Sequence, residues 1–158
     1  MIIIGIDPGT ATTGFGVLKK TKELTCLDYG VIETSKKLKP EQRLKDLYNK
    51  LSKLQKQYSP DLMAVENLFF FKNLKTALPV SEARGVILLL AAKKKMQVVN
   101  ITPLEMKMGI CGYGRADKKQ IQRMVKEMLK LEEAPKPDDA ADALGIAICA
   151  SRAIHKRS

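Results

Sequence analysis

Residues 2–7 read Ile-Ile-Ile-Gly-Ile-Asp, and this short run decides the fold. Four isoleucines in five positions, with no polar alternation, describe a strand buried on both faces, as in the centre of a sheet covered by helices on two sides. Asp7 ends that strand with a carboxylate, and Pro8-Gly9 then turns the chain.

Two further strands are expected at 14–20 (GFGVLKK) and 24–34 (LTCLDYGVIET), joined by a short polar link around Lys22 as in an antiparallel meander. Pro40 opens a helical pattern in which Leu44, Leu47, Tyr48, Leu51 and Leu54 share one face and lysines the other, and Ser59-Pro60 ends it. Residues 62–66 (LMAVE) form a fourth strand. A helix covers about 75–95, with Pro79 near its first turn, and QVVNI at 97–101 makes a fifth strand. Thr102-Pro103-Leu104-Glu105 combines an N-cap, a proline at the first helical position and a capping-box glutamate. Gly109, Gly112 and Gly114 break the short helix that begins there. Asp117 caps another helix to about residue 131, and Pro135 and Pro137 precede a last one from about 138 to 155. This element order implies an α/β fold: a mixed five-stranded sheet flanked by helices, its later strands parallel because helices join them.

The chain has 158 residues, which fits one domain spanning 1–158. No apolar run approaches the ~18–20 residues that span a bilayer, and the apolar start meets Asp7 at once, so a cytosolic protein is expected. Cys26, Cys111 and Cys149 are scattered and odd in number, which spells neither a disulfide framework nor a zinc cluster. The sole histidine, His155, stands close to the end, leaving no imidazole in the body of the chain for a nucleophile relay.

Lys and Arg number 28 against 17 Asp and Glu, a net charge of +11 that suits a polyanionic partner such as nucleic acid. The excess lies in two segments, 19–56 and 93–136, each with 11 basic and 5 acidic residues. Between and beyond them stand Asp7, Glu66, Asp138, Asp139 and Asp142. Asp7 and Glu66 end the first and fourth strands, so parallel neighbours place both at one sheet edge, where ligand sites of such folds lie. Asp139 and Asp142 are three apart in an otherwise apolar helical stretch and share a face. Acids gathered in this way repel one another and lose hydration unless protonated or neutralised by a cation. A hard divalent ion with oxygen ligands resolves the conflict, and two such ions suit phosphodiester displacement. Taken singly, Asp7 also reads as a turn acid, Glu66 as a strand end, and Asp138 or Asp139 as a helix cap. Asp142, inside a helix on its apolar side, has no such simple reading.

Five ordered stretches carry a resemblance across nearly the whole chain: IGIDPGTATTGFGV, AVENLFFFKN, SEARGVILLLAA, KMGICGYGRADKKQIQRMV and DAADALGIAI. In these the chain resembles RuvC-type crossover-junction endonucleases, which resolve Holliday junctions. The resemblance implies a ribonuclease-H-like fold and catalytic metal coordination by Asp7, Glu66, Asp139 and Asp142. It implies Mg²⁺, with Mn²⁺ as an alternative, two ions per site, and water attacking a phosphate to leave 5′-phosphate and 3′-hydroxyl ends. Asp138 adds an acid directly before the D-A-A-D motif; family spacing favours Asp139 as the ligand. Phe69 matches an aromatic used against unstacked bases at the junction centre, Lys107 and Lys118 match basic residues near the scissile phosphate, and Lys119 is an additional DNA-binding candidate. The resemblance also implies a homodimer, with the helix at about 75–95 as the candidate contact, acting on a four-way DNA junction in recombination and repair alongside the RuvA and RuvB branch-migration machinery. GIDPGTATTG also looks like the phosphate-binding hairpin of sugar kinases and actin-like ATPases, but those need a second lobe. A catalytically silent junction-binding module is the other alternative, and the four acids argue against it.

Overall fold

The structure is a computed structural model that describes residues 1–9, 11–67 and 74–153. Strands β1 (Ile2–Asp7), β2 (Thr12–Lys20) and β3 (Leu24–Glu33) form the expected antiparallel meander. Helix α1 (Pro40–Tyr58) leads to β4 (Leu62–Glu66), and α2 (Leu74–Lys93) leads to β5 (Gln97–Ile101). Three helices follow: α3 (Pro103–Cys111), α4 (Lys118–Leu129) and α5 (Asp138–Ala153). The sheet order is β3-β2-β1-β4-β5, with β1, β4 and β5 parallel, so the isoleucine run is the central strand. Among the described residues no helix is long and apolar enough to cross a membrane.

Because strand side chains alternate, the sheet sorts them into two cores. Ile3, Leu18, Leu62 and Ala64 face α3, α4 and α5, where they meet Met106, Ile110, Val125 and Leu144. Ile4, Ile6, Phe15, Val17, Met63 and Val65 face α1 and α2, against Leu47, Leu51, Ile87 and Leu90. The same parity places Asp7 and Glu66 on the α5 face, and the register sets them side by side, since Ile6 pairs with Val65.

Helix α5 lies against β1 and β2 at backbone contact distance because three glycines, Gly5, Gly14 and Gly16, leave it room. A Cβ on Gly5 would stand 2.1 Å from the Ala143 carbonyl oxygen, and one on Gly14 would stand 2.0 Å from that of Asp139. Small residues on the helix complete the fit: Ala140, Ala143, Gly145 and Ala147 are all buried.

The helix ends follow the chain's local chemistry. Thr102 accepts from the Glu105 amide at 3.1 Å while the Glu105 carboxylate accepts from the Thr102 amide at 2.8 Å, as expected of a capping box. Asp117 and Gln120 form the same reciprocal pair at the start of α4. Gly112 closes α3 at φ 81° and Lys130 closes α4 at φ 54°, both left-handed. Some boundaries differ from expectation, and α3 runs through Gly109 to Cys111 rather than breaking there. β2 begins two residues earlier, at Thr12, because its pairing with β3 extends to Glu33. Pro79 is the sixth residue of α2 and so lies in its second turn. α5 is described only to Ala153.

Candidate active site

The four acids expected to act together do converge. Asp7 and Glu66 stand at the carboxyl ends of adjacent parallel strands, within hydrogen-bond reach of each other. Asp139 and Asp142 descend from the first turns of α5 onto the same edge. Burial, followed by repulsion from Glu66, Asp142 and Asp139, holds the Asp7 carboxyl well above the usual carboxylate range. Glu66 is pushed up to about 7, chiefly by burial and then by Asp142, against opposing contributions from Asp7 and Lys107. Asp142 is raised to about 6 by burial and by its acidic neighbours Asp138 and Asp139, with Lys118 and Lys107 pulling the other way.

The two adjacent aspartates are separated by their partners. Asp138 forms an ion pair with Lys118 at the N-terminus of α4, which lowers its carboxyl below the ordinary value. Asp139 instead accepts a hydrogen bond from the Thr12 hydroxyl at 2.9 Å, which ties it to β2. Lys107, half-buried on α3, and Lys118 both lie close enough to influence the cluster. Lys119 is exposed. Phe69 lies outside the described residues.

The donor set is all oxygen, which suits a hard divalent cation such as Mg²⁺. Among the described residues no three acidic, thiol or imidazole groups form a finished coordination shell around one point. The electrostatics favour a bound cation: three of the four acids resist ionisation together, and a divalent charge offsets what their neighbours impose.

Two site residues were not singled out from sequence. Thr12 was missed because the second strand was expected to begin at residue 14; its place two residues before Gly14, on the α5 face, is the signal that would have found it. Arg84 on α2 donates to the Glu66 carbonyl at 3.3 Å and to the Asn100 side chain at 2.6 Å, which fastens the ends of β4 and β5. It lies within the SEARG stretch, but its reach across two strand ends is a tertiary fact. Cys26, Cys111 and Cys149 are free thiols packed at the margin of the α5-side core, away from this chemistry.

Comparison with known proteins bears on this geometry. Residues 3–150 match the family model for crossover junction endodeoxyribonuclease RuvC. The chain is 49% identical over 159 residues to the RuvC of Alkaliphilus metalliredigens, covering 100% of this chain and 97% of that one. With the RuvC of Caldicellulosiruptor saccharolyticus it shares 52% identity over 151 residues, or 94% of this chain and 91% of the other. Among solved structures, Thermus thermophilus RuvC superposes with a TM-score of 0.88 at 30% identity, covering 99% of this chain and 96% of that one. The T. thermophilus RuvC complex with a Holliday junction substrate gives 0.89 at 27% identity, covering 99% and 97%. The sheet order, the helices on both faces and these matches together establish the ribonuclease-H-like fold expected from sequence, and the chain belongs to the RuvC family of crossover junction endodeoxyribonucleases.

Proposed function

We propose that residues 1–158 form one nuclease domain that resolves Holliday junctions by paired symmetric nicks in two opposed strands, during DNA recombination and repair in the cytoplasm. The observation that carries this reading is the convergence of Asp7, Glu66, Asp139 and Asp142 at one sheet edge, beside Lys107 and Lys118. The four carboxylates would hold Mg²⁺, or Mn²⁺ in its place, as two ions. Bound divalent metal supplies Lewis acidity to the scissile phosphate and acidity to the attacking water. The chain's own groups do the rest. Asp7 and Glu66, on rigid strand ends, fix one side of the site, while Asp139 and Asp142 close it from α5. Lys107 and Lys118 offset charge developing on the phosphate, and the N-terminus of α4 adds its dipole to the same effect. Water displaces the 3′ oxygen, leaving 5′-phosphate and 3′-hydroxyl ends. Phe69 and Lys119 extend the DNA contact from this centre.

Symmetric cutting needs two such sites related by a two-fold axis, hence a homodimer. Helix α2 supports it with an exposed stripe at helical spacing, Leu78, Gly85 and Leu89. Leu78 is 67% exposed and Leu89 55%, and a Cβ on Gly85 would meet nothing within 4 Å. The RuvA and RuvB branch-migration machinery is the expected partner on the junction.

The direct test is Asp7→Asn on a synthetic mobile junction. The variant is expected to hold the junction and leave it uncut while the native protein cuts it in Mg²⁺ and not in chelator. Cutting by Asp7→Asn at the native rate would refute the assignment.

A further inference from the structure

We infer that Thr12 is a positioning residue for the metal site, its hydroxyl holding Asp139 in the one orientation that leaves a carboxylate oxygen turned to the cation; this rests on the metal-nuclease reading above. Thr12 opens β2 and lies on the α5 face, two residues before Gly14. Its Oγ1 donates to Asp139 Oδ2 at 2.9 Å. The pairing joins residues 127 apart in sequence, and both of its backbones are fixed. Thr12 pairs with Glu33 in the sheet, and the Asp139 backbone is pressed against Gly14, where a Cβ would stand 2.0 Å from the Asp139 carbonyl oxygen.

The hydroxyl resolves a competition. Asp139 is the second residue of α5, and a short acid in a first helical turn readily folds back on nearby backbone amides. Its neighbour Asp138 is already engaged by Lys118. Donation from Thr12 uses one acceptor site on Oδ2 and leaves the remaining lone pairs of the carboxylate, with all of Oδ1, available to a cation. Threonine suits the task because a β-branched side chain in a strand has little χ1 freedom, so the donor stays aimed. Groups that orient metal ligands in this manner commonly change metal affinity by about 10- to 100-fold when removed.

The test pairs Thr12→Val, which keeps the branched shape and removes the donor, with Thr12→Ser, which keeps the donor. Each full-length variant is titrated with Mg²⁺ alone at pH 8, following the metal-induced rise in Tm, and the Mg²⁺ dependence of junction cleavage is measured in parallel. Thr12→Val is expected to match the native Tm in chelator within a few degrees, to need roughly 10- to 100-fold more Mg²⁺ in both assays, and to bind the junction normally. Thr12→Ser is expected to restore most of the native Mg²⁺ response. A native Mg²⁺ titration for Thr12→Val overturns the inference while leaving the nuclease reading intact, and equal impairment of both variants overturns it in favour of simple packing. If the native protein itself shows neither a Mg²⁺-induced Tm shift nor metal-dependent cutting, the reading beneath it falls as well.

Discussion

Gly14→Ala adds one methyl group at the place where β2 and α5 touch, and its effect can be worked from the geometry. The new Cβ would stand 2.0 Å from the Asp139 carbonyl oxygen and 2.6 Å from its carbon, against a floor of 3.0 Å for real Cβ contacts. The obstacle is backbone, so rotamer changes do not relieve it. The first turn of α5 must retreat by at least about 1 Å, carrying Asp139 and Asp142 with it. A displacement of that size at a reacting centre costs on the order of 10²-fold in rate. Overpacking of this kind costs roughly 1–3 kcal/mol of stability. At about 2–4 °C per kcal/mol for a domain of this size, Tm falls by several degrees while the fold persists. Gly16→Ala provides the contrast, because it meets the Leu144 side chain at 2.7 Å while the nearest backbone atom, the Leu144 Cα, stands at 3.0 Å rather than 2.0 Å. The assay is single-turnover cleavage of a labelled four-way junction, with Tm followed by circular dichroism. Gly14→Ala is expected to lose on the order of 10²-fold in rate and Gly16→Ala much less. Native rate and native Tm for Gly14→Ala would refute the reasoning, since α5 would then not be held at backbone contact.

Three further outcomes follow from the site. Glu66 near 7, Asp142 near 6 and Asp7 raised above its ordinary range all have folded-state values above their unfolded ones, so their penalty is absent below about pH 4 and grows as pH rises through 6 and 7. Mg²⁺ is therefore expected to raise Tm strongly at pH 8 and little at pH 5; an equal Mg²⁺ effect at both would count against a carboxylate metal site. Asp138→Ala removes only an exposed ion pair worth about 0–1 kcal/mol and is expected to keep cleavage within severalfold of native, whereas Asp139→Ala abolishes it; the opposite pattern in the same cleavage assay would exchange their roles. Leu89→Arg on the exposed stripe of α2 is expected to convert a species of twice the 17.6 kDa chain mass into a folded monomer by light scattering, and a native protein already at the single-chain mass would remove the dimer.

Much of this arrangement is legible in the chain because period-two alternation is a local property. The isoleucine run identifies the central strand, and Asp7 and Glu66 at two strand ends already imply one shared edge. Asp142 is legible because a charge on the apolar side of a helix needs a reason. What the chain could not show is pairing at long range. Helical spacing alone does not separate Asp138 from Asp139; family spacing favours Asp139, and their different partners, Lys118 on α4 and Thr12 on β2, emerge only in the fold. Thr12 stayed hidden because strand ends depend on how far the partner strand extends, here to Glu33. Lys118 and Lys119 look equivalent at the start of α4, yet consecutive residues on a helix face about 100° apart, so one meets Asp138 and the other faces solvent. Pro79 lies in the second turn rather than near the first because α2 already includes Leu74, one residue before the expected start.

The most direct test of the central claim is to place a distinct label on each of the four strands of a synthetic junction and map every nick made in Mg²⁺. The account expects nicks in two opposed strands at symmetric positions, with the matching linear duplex left intact. Tight junction binding without cleavage across a panel of sequences and both Mg²⁺ and Mn²⁺, or equal cutting of the duplex, would contradict it.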